Sequence, residues 1–200
     1  MGQAKRRSAS AHAKGSTPST ADRKPAAAGR GRRRKGFPNP WLVGLVGLVA
    51  LVALQLTLGA LAEARLPGEK FRSQGNVHVA LGTTTPPYNS DPPTSGWHTN
   101  ELAPWGGHLE AQHDQRLLHN MEDGGVILWY PLGTPEENAA HVAALEDVAR
   151  GFRLTVIAPR AGMPTRYALT AWQRLQRFDD LDPEGMRAFI AAYHGIDNHR

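Results

Sequence analysis

Hydropathy divides the chain into three stretches. Between Trp41 and Ala62 the sequence WLVGLVGLVALVALQLTLGALA is apolar on every side, without charge and with only Gln55 and Thr57 polar. As a helix rising about 1.5 Å per residue it is roughly 33 Å long, enough for a hydrocarbon core of about 30 Å. A helix satisfies its own backbone polar groups, so all-round apolarity suits lipid. Pro38 and Pro40 predict a start at Pro40 or Trp41. Upstream, residues 1–36 hold one large apolar residue, Met1, among Ala, Gly, Ser, Thr, Pro, Arg and Lys. Such a segment buries too little apolar surface to offset its ordering entropy, which predicts disorder over residues 1–40.

Downstream, residues 63–75 read as a juxtamembrane linker and residues 76–200 as a folded domain. Val77–Leu81 has the pattern of a strand. Residues 82–116 lack periodicity and carry many Pro and Gly; Tyr88, Trp97, Leu102 and Trp105 are apolar anchors for an ordered, wrapping loop. The continuous run Val126–Tyr130 suits a strand buried on both faces. Thr134, Pro135 and Glu137 make a capping box with Pro at the first turn, opening a helix that Gly151 closes. Leu154–Ala158 and Tyr167–Trp172 read as further strands. Asp182-Pro183 starts a second helix, with Met186, Phe189, Ile190 and Tyr193 on one face and Gly195 as its stop. The expected class is α+β, a small mostly antiparallel sheet with helices on one face.

Charge changes this picture at one end. Residues 1–40 carry eleven of the 23 Lys and Arg but one acid, Asp22, so the rest of the chain is net acidic. The high isoelectric point belongs to the tail, and no specific nucleic-acid binding is expected of the domain. Five basic residues at 30–35 against a mixed set after the helix put the tail in the cytoplasm and the domain outside. This is a single-pass anchor in the cell membrane, with the lipid bilayer as its first partner. The rival is a cleaved signal peptide with Ala60-Leu61-Ala62 as the cleavage site, but the apolar run exceeds the usual 7–15 or so residues. Gly44, Gly47, Ala50 and Ala53 are small residues that permit helix pairing. The chain has no Cys, which excludes disulfides, thiolate metal sites and thiol catalysis.

Four segments then carry a resemblance. Pro92-Pro93-Thr94-Ser95-Gly96-Trp97-His98, Ala103-Pro104-Trp105-Gly106, the run Leu118 to Val126, and Ala168-Leu169-Thr170-Ala171-Trp172 resemble, in order, the bacterial DUF3105 family. The resemblance covers residues 76–195. It implies membrane anchoring, which many members share, and no known activity. The family's central motif, His-x-x-Glu-His-Gly-Gly, is matched at His119, Glu122, Gly124 and Gly125, with Asp123 where the second His stands. A histidine site implied by the family loses one imidazole here, although Asp can offer an oxygen ligand.

The residues themselves nominate His98, His119 and Glu122 as a metal site. His119 and Glu122 are three apart, on one face if residues 117–122 make a helical turn. His98 lies just past Gly96 in a Pro-constrained turn. Imidazoles with a carboxylate suit Zn²⁺, Cu²⁺, Ni²⁺ or Fe²⁺. His108 and His113 are further candidate ligands, and Asp123 is expected to point away. The alternative is that His119 and Glu122 hydrogen-bond loop backbone and pin residues 82–116 to the sheet. His194 and His199 are expected to be exposed. Ser95 lacks a nucleophile-elbow setting. The tryptophans read as core more readily than as a glycan platform, and Gly124-Gly125 as a close backbone approach rather than a phosphate loop. The functional expectation is an envelope protein whose outer domain binds an unknown ligand, protein or ion, with a metal-dependent enzyme as the alternative.

Overall fold

The computed structural model describes residues 39–199; the basic tail lies outside them except for Asn39 and Pro40. Helix α1 (Pro40–Ala64) is long and apolar enough to cross a membrane. Its start follows from Asn39, whose side chain accepts from Trp41 N at 3.1 Å while Pro40 occupies the first turn.

The remaining elements are β1 (Glu69–Lys70), β2 (Gly106–Gly107), α2 (Asp114–Glu122), β3 (Val126–Pro131), α3 (Pro135–Ala149), β4 (Thr155–Arg160), β5 (Tyr167–Ala171), β6 (Arg174–Phe178) and α4 (Pro183–Tyr193). The six strands form one mixed sheet in the order β1-β6-β5-β3-β4-β2. Three pairings are antiparallel, while β3–β4 and β4–β2 are parallel, so the α+β expectation holds. β3 lies at the centre, buried on both faces, which explains its unbroken apolar run. Val126, Leu128 and Tyr130 face one core with Leu145 and Val148 of α3 and Met186, Phe189 and Ile190 of α4. Ile127 and Trp129 face a second core with Leu117, Leu118 and Met121 of α2. The expected helices thus share one face, and α2 with the wrapped loop covers the other.

Caps behave as the residues dictate. Thr134 and Glu137 form the reciprocal box, and Asp182 accepts from Gly185 N at 3.0 Å to open α4. Three local expectations change. Val77–Leu81 is no strand: it makes a single parallel bridge, His78 to His98, because its partner turns within a Pro- and Gly-rich run that cannot extend a ladder. β6 pairs with β5 through the two-residue turn Trp172-Gln173, in which Gln173 has φ 62°. The segment after α1 is no free linker: β1 pairs with β6, and Tyr193 Oη donates to the Pro67 carbonyl at 2.6 Å.

The 82–116 loop is ordered through polar clamps. The Asn120 carboxamide accepts from Ala103 N at 2.9 Å and donates to Ala103 O at 3.0 Å. Gln115 likewise bonds Gly82 N and Thr83 O. Tyr88 and Trp105 pack on the second core, but Leu102 is exposed and Ala103 is the buried neighbour.

Candidate metal centre

The site begins at the end of α2. His113 caps the helix, its Nδ1 accepting from Gln115 N, and nine residues then follow. The helix stops in a Schellman motif. Gly125 N donates to Asn120 O at 2.7 Å and Gly124 N to Met121 O at 3.1 Å, with Gly124 at φ +83°. A side chain at Gly125 would lie 2.5 Å from Asn120 O and 2.8 Å from the Trp105 ring, so the chain reaches β3 only through glycine. This stop puts His119 and Glu122 in the last turn, on one face, beside the central strand.

Glu122 is fully buried. It ends a helix, where the backbone presents partial negative charge, so an anion there is unfavourable unless a cation compensates. Its Oε1 has no hydrogen-bond partner. Its Oε2 is surrounded by imidazole nitrogens: His98 Nε2 at 2.9 Å, His78 Nε2 at 3.1 Å and His119 Nδ1 at 3.5 Å. His78 Nε2 and His119 Nδ1 are 3.3 Å apart. The four donor atoms all lie within 4.8 Å of one another. A tetrahedral ion with ligand bonds of about 2.0–2.1 Å separates its ligands by about 3.3 Å, which the contacts of 2.9–3.5 Å already bracket, while the widest pair must close by up to about 1.5 Å.

His98 is fully buried, and its Nδ1 lies 2.8 Å from the Gly96 carbonyl, which can only accept. Nδ1 therefore carries the hydrogen, and a neutral His98 turns the lone pair of Nε2 toward the Glu122 carboxylate. That contact requires a proton or a cation between the two. One proton relieves one pair; one metal ion relieves all four donors together. Burial holds the His119 imidazole below its ordinary value, aided by His98 and His78 and opposed by Asp123 and Glu122, which favours the neutral form a metal binds. The Trp172 ring closes the His98 side, edge-on at 5.8 Å. Three nitrogens and an oxygen suit Zn²⁺, Cu²⁺, Ni²⁺ or Fe²⁺.

His98, His119 and Glu122 thus converge. His108 and His113 do not join them: His108 Nε2 donates to Pro104 O at 2.7 Å, and His113 caps α2. Met121 and Met163 belong to the second core rather than to the donor set. The backbone pinning of the loop falls to Asn120 and Gln115, not to the Glu122 carboxylate. His194 is half-buried and accepts from Leu154 N at 3.1 Å, whereas His199 is exposed as expected. Sequence reasoning missed His78, brought in by its bridge to His98, and missed that the exposed His199 faces the same carboxylate. Neither position carried a spacing signal that separates it from the chain's other histidines. The cavities of about 660 and 580 Å³ lie elsewhere, bordered by Thr83 and Arg160 and by His141 and Arg166, and none of the four donors lines them.

A family model described as a protein of unknown function, DUF3105, matches residues 78–199, from His78 to His199. No curated protein and no solved structure matches the chain.

Proposed function

We propose a metal-binding function for this chain, which belongs to the DUF3105 family: a membrane-anchored envelope protein whose outer domain holds one divalent transition-metal ion on His78, His98, His119 and Glu122. The observation that carries this reading is the buried, helix-terminal Glu122 carboxylate, with three imidazole nitrogens around one oxygen and no hydrogen-bond partner on the other. Anchoring rests on α1, and the outward domain on the basic residues at 30–35. Binding is favoured over metal-dependent catalysis because an enzyme needs a concave space for substrate at the ion: the cavities of about 660 and 580 Å³ are bordered by other residues, and the one beside the cluster, bordered by Trp172 and Asn198, holds only about 200 Å³.

The test is metal analysis by mass spectrometry of the full chain in detergent, stripped with chelator, reloaded in turn with Zn²⁺, Cu²⁺, Ni²⁺ and Fe²⁺ and freed of excess. The wild type should retain one ion per chain, and His78→Ala, His98→Ala, His119→Ala and Glu122→Gln should lose it while keeping the wild-type circular dichroism. A folded wild type that retains no Zn²⁺, Cu²⁺, Ni²⁺ or Fe²⁺ would sink the reading.

A further inference from the structure

Residues 195–198 are bonded back to the end of α2. Gly195 N donates to Gly124 O at 2.8 Å, and Asn198 N donates to Glu122 O at 2.9 Å. The Asn198 side chain adds a bond to Met121 O at 3.3 Å. This segment is tied to the very turn that presents Glu122, and the tie delivers His199 to the solvent side of the donor cluster. His199 Nε2 lies 3.5 Å from Glu122 Oε2 and 3.4 Å from Asp123 Oδ1. Its ring stands 6.1 Å from that of His119, nearly perpendicular.

The other ring nitrogen matters as much. His199 Nδ1 lies 2.7 Å from Asp197 Oδ1, which accepts its hydrogen. His98 repeats this arrangement, with Nδ1 on the Gly96 carbonyl and Nε2 toward Glu122. A partner on one ring nitrogen orients the ring and makes the other nitrogen the one that would face a metal. The two rings differ in burial, His98 being sealed in and His199 about half exposed.

We propose that His199 is a fifth, exchangeable ligand carried on the segment after α4, which occupies the solvent-side coordination position of the ion and competes with small exogenous ligands for it. The inference rests on the metal-site reading above. His78, His98, His119 and Glu122 form the permanent set, and the His199 ring is the member that leaves. When it does, the ion offers an open position to a small anion or an imidazole group.

The test uses the full chain in detergent, loaded with Co²⁺, whose visible spectrum reports ligand number and type. Azide should shift the spectrum of His199→Ala at a concentration about tenfold lower than it needs for the wild type, where it must displace the ring. Free imidazole added to His199→Ala should restore the wild-type spectrum and exclude azide. Cobalt affinity should fall by about tenfold in the variant, the lower end for groups supporting a metal site. A variant spectrum identical to wild type, or an azide response equal in both proteins, overturns the inference while leaving the four-donor site standing. A wild type that forms no cobalt complex overturns both.

Discussion

At Glu122 a carboxylate ends a helix, is withdrawn from water and keeps Oε1 without a hydrogen-bond partner. Breaking a partnership around a buried charge and neutralising the charge itself have opposite signs. Glu122→Gln keeps the volume and removes the charge. In the metal-free chain it should therefore raise the thermal midpoint. In the metal-loaded chain it should lower affinity by more than the roughly 10–100-fold lost when an orienting group is removed. Scanning fluorimetry with and without chelator reads both effects. A Gln variant less stable than wild type in chelator would mean that the carboxylate serves mainly to pair with an imidazolium. A second histidine supplies a pH prediction away from the site. His141 stacks on Tyr130 at 5.2 Å, and its Nδ1 faces Tyr167 Oη at 3.1 Å. Burial, then Arg166, holds it below its ordinary value of 6.5, against the pull of Glu137. The unfolded chain then takes up the proton first as pH falls. Stability is full above the ordinary value and declines as pH drops through it toward the folded value. His141→Gln should flatten the urea midpoint over that window, and an unchanged slope would refute the assignment.

Helix α2 and its Schellman stop are the element on which the centre depends. Gly125→Ala drives a methyl group toward Asn120 O and the Trp105 ring, so it should cost about 1–3 kcal/mol by overpacking and weaken metal binding as the last turn shifts. Thr134→Ala is the control: loss of that cap should cost about 1 kcal/mol and leave metal affinity alone. Urea titration and metal competition separate the pair, and equal effects on affinity would contradict a local role for the turn. The same elements show what the sequence discloses. α3, α4 and the strands β3, β4 and β5 were legible because each combines an apolar period with caps or breakers. β6 was hidden because its turn, Trp172-Gln173, contains neither Gly nor Asn; Gln173 is held at positive φ by Phe71 N on its carbonyl and by its own N–H on Thr94 O. Those partners are distant in sequence and leave no local trace. His119 and Glu122 were legible as an i, i+3 pair on a helix end, and His98 as a side chain in a rigid turn. His78 joined them only through a bridge that exists once the loop has wrapped.

For the whole molecule, binding couples to folding. The donors come from a loop bridge and a helix end, so an ion joins segments that share no regular element. Metal at 100 times its Kd should stabilise the native chain by about 2.7 kcal/mol, and chelator should expose residues 72–100 to proteolysis. Limited proteolysis followed by mass spectrometry checks this, and cleavage there indifferent to metal would deny the coupling. For topology, a reporter fused after Arg200 should work only outside the cytoplasm, and purified protein should keep the residues before Glu63; activity in the cytoplasm would reverse the orientation. The wide sequence spacing of the donors has one more effect. From His78 to Glu122 they run through the whole wrapped loop and α2, and they meet only once that loop has folded back onto the helix end. On the proposed outward orientation, a chain that crosses the bilayer as an unfolded thread would bring them together only on the far side. Affinity alone ranks Cu²⁺ above Zn²⁺ at almost any such group of ligands, so cells assign metals largely by supply. Here the assignment would be made by the place and moment of folding: the ion acquired is the one that compartment offers to a freshly delivered chain.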